Sequence, residues 1–389
     1  MSYADRAEQS PQGNVPNLRF PEFSGEWEHV ALSEIAARVT RKNKDNASKL
    51  PLTISAQYGL VDQISFFNKV VASADMSNYY LLRQGEFAYN KSYSSDYPWG
   101  AIKRLDRYPQ GALSSLYICF AVNDKVDSDF AVHYFESSKW HREVSNIAGE
   151  GARNHGLLNI AVGDFFDTKH RLPSSKEEQK KIAALLNLIT ERIATQIKII
   201  EDLKKLKSAI RAKVFKQLES SCEFWSEIGN MLQYEQPSKY LVTSTEYSDS
   251  YATPVLTANK AFILGYTDEE FGIYSKGECV IFDDFTMDVK YVNFPFKVKS
   301  SAIKILTSNS GNDLYFVYEY LQNLGLVSEE HKRHYISEIE PMIVACPTFE
   351  EQQNISNLLR SFDRKIEYAN RELTLYNKQK QYLLSQMFI

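Results

Sequence analysis

The sequence lacks most of the motifs by which enzymes bind nucleotides, metals or acyl groups. It contains no G-x-x-x-x-G-K-[ST] loop, no H-E-x-x-H, no G-x-S-x-G, and no glycine-rich strand-to-helix turn suited to a nucleotide cofactor. The tetrapeptides N-P-P-[YF] and D-P-P-[YF] of adenine methyltransferases are also absent. ATP hydrolysis and methyl transfer by this chain are therefore not expected.

Cysteine, long apolar runs and excess charge are equally scarce. The four cysteines lie far apart with no C-x-x-C spacing, which argues against zinc and disulfides and fits a reducing cytoplasm. No apolar stretch approaches the roughly 18 residues of a membrane span. The polar beginning of the chain does not read as a signal peptide, and we expect residues 1–15 to form a disordered lead. A net charge of −4 argues against a chain that coats nucleic acid indiscriminately.

One pair of acidic residues raises the question of a metal site. Asp283 and Asp284 follow an apolar run that reads as a strand. Adjacent strand residues point to opposite faces of a sheet, so these carboxylates are not expected to converge on one ion. The seven histidines share no motif, and we predict no metal site.

What the sequence does contain is one segment twice. Residues 175–216 and 348–389 align without a gap from an E-E-Q tripeptide onward, at an offset of 173 residues. An internal repeat of this length implies two copies of a domain-plus-helix unit. The recurring residues are Glu177, Glu178, Gln179, Ile182, Leu185, Leu186, Ile193, Lys205, Lys207 and Phe215, which reappear as Glu350, Glu351, Gln352, Ile355, Leu358, Leu359, Ile366, Lys378, Lys380 and Phe388.

Each repeated segment predicts a long helix. Ser175 with Glu178 and Thr348 with Glu351 match a capping box, in which each side chain bonds to the other residue's backbone N–H. Apolar residues then recur every 3.5 residues without proline or glycine, which is typical of a coiled coil roughly 60 Å long.

The apolar residues that recur every 3.5 positions form a seam along each helix, and the partner of each seam is open to two interpretations. The seams can form a zipper between two chains, or they can pair with each other, which is favoured because one chain carries both. Lys207 and Lys380 interrupt the seams at the same place. A polar seam residue fixes register, whereas a lysine near a frayed end extends its amine to solvent.

The regions before the helices read as β-rich domains. Short apolar runs are punctuated by glycine and proline, and one short amphipathic helix is expected in each domain, at 129–137 and 313–324. Arg153-Asn154-His155 echoes Lys332-Arg333-His334. We therefore expect domains at 16–172 and 219–346, with long helices at 173–218 and 347–389.

Two variable domains, each followed by P-[ST]-x-x-E-E-Q-x-x-I-x-x-L-L, resemble the specificity subunit of type I restriction-modification enzymes. Four further strings carry the same resemblance, which covers nearly the whole chain: L-R-F-P-E-F-S-G-E-W, G-E-F-A-Y-N-K-S-Y-S, G-A-R-N-H-G-L-L-N-I and L-T-A-N-K-A-F-I-L-G-Y-T. The resemblance implies an α+β fold in which two target-recognition domains are separated by an antiparallel coiled coil with a pseudo-two-fold repeat.

The resemblance also implies partners and a division of labour. Each domain would read one half of a bipartite site in double-stranded DNA. Two adenine-N6 methyltransferase subunits and motor-nuclease subunits would bind the same scaffold. No membrane partner is implied. S-adenosylmethionine, ATP and Mg²⁺ would belong to those subunits, leaving this chain with no cofactor and no catalytic residue. An antiparallel helix pair suits this arrangement, because duplex DNA has local two-fold axes perpendicular to its length.

Basic and amide side chains in predicted loops are candidates for reading base edges in the major groove. Phosphate contacts and ordinary surface roles are alternatives for each of them. Two other function classes also stay open, a coiled-coil scaffold without a nucleic-acid role and an enzyme with an unrecognised site. The candidate DNA-binding residues are Arg41, Lys42, Lys44, Asn90, Lys91, Ser92, Tyr93, Arg153, Asn154 and His155 in the first domain, and Thr257, Asn259, Lys260, Asp283, Asp284, Thr286, Lys332, Arg333 and His334 in the second.

Overall fold

A computed structural model describes residues 13–55, 58–94, 97–149, 156–257, 262–328 and 334–389. The chain forms two compact units, the first made of 1–195 with 372–389 and the second of 196–371. Each unit contains one sheet-rich domain and a segment of each long helix. Within the described residues, no helix is both long and apolar enough to cross a membrane.

The first unit begins with β1 and ends where the first long helix, α6, leaves it. Its elements are β1 Glu28–Ala31, α1 Leu32–Ile35, β2 Ala36–Arg38, β3 Leu52–Ser55, β4 Gly59–Asp62, α2 Gln63–Phe67, β5 Tyr80–Arg83, β6 Phe87–Asn90, β7 Ala101–Arg104, β8 Gln110–Leu113, β9 Ile118–Val122, α3 Ser128–Glu136, α4 His141–Ile147, α5 Val162–Asp167, β10 Lys169–Leu172 and α6 Lys176–Ser221. A short 3₁₀ turn covers Lys44–Asn46.

The second unit follows a similar order with fewer helices in its described residues. Its elements are β11 Trp225–Glu227, α7 Ile228–Met231, β12 Leu232–Glu235, β13 Thr253–Leu256, β14 Ile263–Thr267, β15 Cys279–Asp283, β16 Val289–Val292, β17 Lys297–Val298, β18 Ile303–Ser308, α8 Leu314–Asn323, β19 Ile343–Ala345 and the second long helix, α9 Phe349–Met387. A 3₁₀ turn covers Pro237–Tyr240, and one turn of π-helix covers Tyr335–Ile339.

Each domain has a central four-stranded sheet, and the two sheets have equivalent strand orders. The order is β2-β9-β6-β7 in the first unit and β12-β18-β15-β16 in the second, and all neighbours are antiparallel. A two-stranded ladder, β1 with β10 and β11 with β19, joins the beginning and end of each domain. The expected α+β architecture, with two sheet-rich domains separated by long helices, is confirmed.

Each central sheet is buried on both faces. In β15, Val280 and Phe282 pack in a core with α8, whereas Cys279 and Ile281 pack in a second core on the other face. This division follows from the period of two along a strand. Because both faces are apolar, the functional side chains of the sheet are confined to its strand ends and loops.

The amphipathic helices expected near 129 and 313 are present as α3 and α8. The Asp127 carboxylate accepts from the backbone N–H of Phe130 at 3.0 Å, and Asp313 accepts from that of Phe316 at 2.8 Å. Aspartate is a favoured N-cap because its carboxylate satisfies first-turn N–H groups. The two helices therefore begin in the same way.

The long helices pair within the chain and run antiparallel in both units. In the second unit, Gln196 Nε2 donates to the Ala369 carbonyl at 2.9 Å, while Phe215 shares a core with Leu359. In the first unit, the Arg192 guanidinium lies 5.4 Å from the centre of the Tyr376 ring. Residue numbers rise along α6 as they fall along α9, so the intramolecular interpretation is confirmed.

The end of α9 completes the core of the first unit. Phe388 packs against Trp27 and Phe130, and Leu384 lies in the same cluster. In the second unit Phe215, the repeat equivalent of Phe388, occupies the corresponding position near the end of α6 against Phe316 and Tyr320. Each domain thus buries one helix end.

The expected capping boxes form fully only at α9. There the Thr348 N–H donates to Glu351 Oε2 at 3.0 Å, and the Glu351 N–H donates to Thr348 Oγ1 at 3.4 Å. At α6 the Glu178 N–H donates to Ser175 Oγ at 3.2 Å, but the reciprocal bond is missing. The Glu178 carboxylate instead accepts two bonds of 2.7 Å from Arg19. The prediction of a full capping box at α6 was wrong, because the charged Arg19 guanidinium is a stronger partner for the Glu178 carboxylate.

The glutamine of the E-E-Q tripeptide makes the same contacts in both copies. Gln179 Oε1 accepts from the Asp127 N–H at 2.7 Å, and its Nε2 donates to the Pro173 carbonyl at 2.9 Å. Gln352 Oε1 accepts from the Asp313 N–H at 2.9 Å, and its Nε2 donates to a carbonyl at 3.0 Å. Each buried amide therefore attaches its long helix to the N-cap residue of α3 or α8.

Replacing Gln352 by alanine should destabilise the chain by roughly 2 kcal/mol or more, because each buried polar group left without a partner costs about 1–3 kcal/mol. Urea unfolding followed by circular dichroism measures the change. Gln353→Ala is the matched control, since Gln353 is exposed on the same turn. Equal stabilities of the two variants would contradict the assignment.

Candidate nucleic-acid interface

In the first unit, polar side chains follow β6 at the point where the strand leaves the sheet. Lys91 and Tyr93 continue beyond Asn90, and the Tyr93 N–H donates to the Gly156 carbonyl at 2.9 Å. The Leu158 N–H donates to the Lys91 carbonyl at 2.9 Å. These bonds place Gly156, the residue directly after His155, beside the β6 strand end.

In the second unit, the segment after β15 is anchored in the same way. The His334 N–H donates to the Asp284 carbonyl at 3.2 Å and to its Oδ1 at 3.0 Å. Oδ1 also accepts from the Tyr335 N–H at 2.9 Å, and Oδ2 lies 3.2 Å from Lys304 Nζ. Asp284 therefore holds the chain at the residue directly after Arg333.

The two strand ends are equivalent in the fold. Asn90 and Asp283 are the last residues of the third strand in sheets of the same order, so Lys91 corresponds to Asp284. Their carbonyls accept from Leu158 and His334 respectively. His334 thus corresponds to Leu158, and the echo between 153–155 and 332–334 is displaced by three residues because the two loops differ in length.

Residues 225–375 match the family described as "Type I restriction modification DNA specificity domain". The chain is also 42% identical over 176 residues to the "Type I restriction enzyme EcoR124I/EcoR124II specificity subunit" of Escherichia coli. The match covers 42% of this chain and 44% of the curated relative, so it spans less than half of that relative's length. Residues 225–375 of this chain are thus similar to a type I restriction-modification DNA specificity domain.

Two solved structures are similar in fold to this chain. A type I restriction-modification S subunit from M. genitalium aligns with a TM-score of 0.59 at 16% identity, covering 96% of this chain and 99% of that one. A second structure, described as the "structural basis underlying complex assembly and conformational transition of the type I R-M system", aligns with a TM-score of 0.56 at 15% identity. The alignment covers 93% of this chain and 97% of that one. At these identities the likeness concerns the fold.

Exposed candidates in the first domain lie in two loops. Ser92 and Tyr93 are exposed after β6, with the Tyr93 side chain 46% accessible. Asn90 is half-buried, and its Oδ1 accepts from the Ser92 N–H at 3.0 Å, which shapes the turn. Lys91 is half-buried, and its Nζ lies 3.4 Å from the Ile160 carbonyl.

The basic loop at 41–44 has its own contacts. Arg41 forms an ion pair of 3.0 Å with Glu86. Lys42 is exposed, yet its Nζ donates to the Asn78 carbonyl at 2.8 Å and lies over the Tyr80 ring. Lys44 is exposed. Arg41 is therefore engaged within the domain, whereas Lys44 projects to solvent.

Candidates in the second domain divide between buried and exposed positions. Asp283 is buried, and its Oδ1 accepts from the Thr286 N–H at 2.7 Å and from Thr286 Oγ1 at 2.9 Å. His334 is buried with its ring bonded to Ser328 and Glu338. Asp283, Asp284 and His334 thus shape the strand end, while Thr286 is exposed on it.

Seven candidates lie outside the described residues, namely Arg153, Asn154, His155, Asn259, Lys260, Lys332 and Arg333. Thr257 lies just before the undescribed residues 258–261. Its N–H donates to the Phe262 carbonyl at 3.1 Å, which closes the β13–β14 hairpin. Thr257 itself is half-buried.

One exposed residue at the second strand end was missed by sequence reasoning. Phe285 corresponds to Ser92 and its side chain is 40% accessible. An aromatic residue directly after a buried strand and an Asp-Asp pair was the available signal. Ser92-Tyr93 and Phe285-Thr286 therefore each combine one aromatic residue with one small hydroxyl residue.

A buried ion pair holds the hairpin that carries Thr257. Lys297 lies on β17, which pairs with β13, and its fully buried amine bonds to the Glu269 carboxylate. Burial raises the pKa of Glu269, but hydrogen bonds from Lys297, Thr243 and Ser244 outweigh it and lower the pKa to about 2. The carboxylate therefore stays charged at neutral pH.

The described residues contain no group of three or more His, Cys, Asp or Glu side chains that could hold a metal ion. The carboxylates of Asp283 and Asp284 bond to different partners, as the alternation of strand side chains predicts. Their chemistry in this fold is to organise the strand end.

Asp284→Asn should destabilise the second domain by about 3–5 kcal/mol, because removing one member of a buried ion pair leaves the Lys304 charge uncompensated. Thermal unfolding of the purified chain measures it. Asp288→Asn, an exposed residue in the same turn, is the control. An unchanged melting temperature in Asp284→Asn would show that the Asp284–Lys304 pair does not support the strand end.

Proposed function

We propose that this chain is the DNA-specificity subunit of a type I restriction-modification complex. Its domains at 16–172 and 219–346 each read one half of a bipartite, asymmetric site in double-stranded DNA. The chain itself carries out neither methylation nor cleavage. Adenine-N6 methyltransferase subunits and motor-nuclease subunits perform those reactions with S-adenosylmethionine, ATP and Mg²⁺.

The observation that carries the proposal is the duplication of one strand-end site within a family of DNA specificity domains. In both units the segment after the third sheet strand is bonded to the residue that follows a loop rich in basic residues. Two similar sites in one chain suit a ligand that presents two similar surfaces. The two strands of a DNA duplex present such surfaces. Each strand has a phosphate backbone that lines the groove beside base edges that a protein can read.

The two strand ends differ in the chemistry that reads bases. The first exposes the Ser92 and Tyr93 side chains, whereas the second exposes those of Phe285 and Thr286. A hydroxyl group donates and accepts hydrogen bonds, whereas the phenyl ring of Phe285 makes apolar contacts. Domains with such different edges favour different base sequences, which supports an asymmetric target.

The acidic net charge of −4 bears on how DNA affinity arises. Phosphate contacts supply much of the affinity of DNA-binding proteins, and they require basic side chains. We infer that partner subunits contribute part of these contacts, while Lys44 and the basic residues at 153 and 332–333 contribute locally. The complex should therefore bind DNA more tightly than this chain alone.

Exposed apolar side chains on the long helices support a scaffold role. Leu188, Leu375 and Tyr382 are exposed in the first unit, and Leu206 and Tyr368 in the second, each more than 45% accessible. Large apolar residues that remain exposed after folding are frequent in protein–protein interfaces. We assign these helix faces to partner subunits. A scaffold without a nucleic-acid role is disfavoured, because it leaves the duplicated strand-end sites unexplained.

Exchanging the second domain tests the proposal. Residues 225–345 are replaced by the corresponding segment of a relative, and the methylated motif is read by sequencing host DNA. One half of the motif should change while the other half stays the same, because each domain is expected to bind DNA through its own loops.

The reciprocal exchange of residues 28–172 is the matched control and should change only the other half. A change of both halves in either exchange would mean that the domains do not read DNA independently. Methyl transfer by the pure chain alone would separately refute its non-catalytic role.

A further inference from the structure

Lys207, the lysine that interrupts the apolar seam of α6, bonds both to the other long helix and to a helix of the domain. Lys207 Nζ lies 2.6 Å from Glu319 Oε1, 2.5 Å from Asp363 Oδ1 and 3.1 Å from the Tyr315 hydroxyl. Glu319 and Tyr315 belong to α8, whereas Asp363 belongs to α9. One amine therefore joins both long helices to the domain's own helix.

Glu319 is the centre of this junction. Its side chain is completely buried, and its Oε2 lies 3.3 Å from Arg211, one helical turn after Lys207. Two cations on α6 thus share one carboxylate on α8. A buried carboxylate needs such partners, because an isolated charge in the interior is strongly unfavourable.

The first unit builds an equivalent junction from the repeat partner of Lys207. Lys380 Nζ lies 2.8 Å from Glu136 Oε2 on α3. His133, on the same helix, bonds to Glu136 at 3.3 Å and to Asn187 of α6 at 2.8 Å. Here too the contacts join α6, α9 and the domain helix.

Electrostatics favour the charged form of this second junction. Burial raises the pKa of Glu136, but the hydrogen bond from His133 and the charges of Lys380 and Lys103 outweigh it, so the pKa lies well below its usual range. Lys103 lies 3.8 Å from the same carboxylate. The acid is therefore ionised throughout the neutral range.

We propose that Lys207 and Lys380 are positioning residues that set the orientation of each recognition domain on its helix pair. This inference rests on the proposed DNA-reading function. Ridge-and-groove packing of apolar side chains tolerates small rotations, whereas a charge-assisted hydrogen bond is short and directional. The lysines restrict each domain to the one orientation in which amine and carboxylate meet.

A purely stabilising role makes a different prediction. Removing one member of a buried ion pair lowers stability, by about 3–5 kcal/mol. If Lys207 served only stability, its replacement would change unfolding but not the geometry of the DNA target. If it sets orientation, the spacing between half-sites loses stringency even where stability is kept.

The acid lies at a different place in each domain. Glu319 follows its N-cap residue Asp313 by 6 positions, whereas Glu136 follows Asp127 by 9. The lysine positions are equivalent in the repeat, but their partners are not. Each domain is thus matched to its own lysine by its own acid, and a transplanted domain must bring a carboxylate that reaches the lysine.

The test uses the complete complex of this chain with its methyltransferase subunit. The motif and spacer of the unaltered protein are first read from host DNA. Methylation rates are then measured on duplexes with that spacer and on duplexes one base pair longer or shorter. Lys207→Met is compared with Lys204→Met, an exposed position on the same helix, and Lys380→Met with the exposed Lys378→Met.

The preference for the correct spacer should fall roughly tenfold in Lys207→Met and Lys380→Met, the change that ~1.4 kcal/mol of positioning free energy produces. Both half-sites should be unchanged, and the two control variants should keep the original preference. An unchanged preference in folded Lys207→Met and Lys380→Met would overturn the proposal.

A variant that fails to fold has a milder replacement. Asp363→Asn removes one of the two negative charges bonded to Lys207 but keeps the pair with Glu319, and its spacer preference should fall in the same direction. An unchanged preference in folded Asp363→Asn would then overturn the proposal for the second domain. If the unaltered complex methylates no DNA, the proposed function fails instead, and the two failures are thereby distinguished.

Discussion

A buried glutamine at the start of each long helix has to satisfy its amide within the protein, and this constraint ties helix to domain. Gln179 and Gln352 each bond to the N–H of the aspartate that caps the domain helix and to the carbonyl of the preceding proline. An unsatisfied buried amide is costly, so the helix cannot move away from its domain without breaking several bonds at once. The rest of each unit is assembled around this attachment.

Beyond that attachment, the apolar face of each long helix packs against the domain core. In the second unit Phe215 and Leu359 enter the same apolar cluster, and in the first unit Ile182 and Leu384 do so. Because apolar cores lie on both faces of each sheet, loops at the strand ends are the surfaces left for recognition. Architecture and proposed function are connected through this division between buried sheet faces and accessible strand ends.

The helices and their pairing could be predicted from sequence, since a 3.5-residue period without proline or glycine persists across each repeat. Segments with one apolar face likewise indicated α3 and α8. Contacts between residues distant in sequence could not be predicted. Glu178 has the spacing of a capping box, yet Arg19, 159 residues away, takes its carboxylate.

The candidate site shows the same limit. Asn90, Ser92 and Thr286 were singled out as polar residues after an apolar run, which is a local pattern. The burial of Asp284 depends on His334 and Lys304, which only the folded sheet brings to it. Local polarity therefore indicated where the strand ends lie, but it did not distinguish the residues that support a loop from those that face solvent.

The central claim is that one chain carries two recognition sites for one duplex. Methylome sequencing of a host that gains this chain together with its methyltransferase subunit tests that claim most directly. The account predicts one new motif made of two different half-sites separated by a spacer of fixed length and free sequence. A continuous motif, or two identical half-sites, would contradict it.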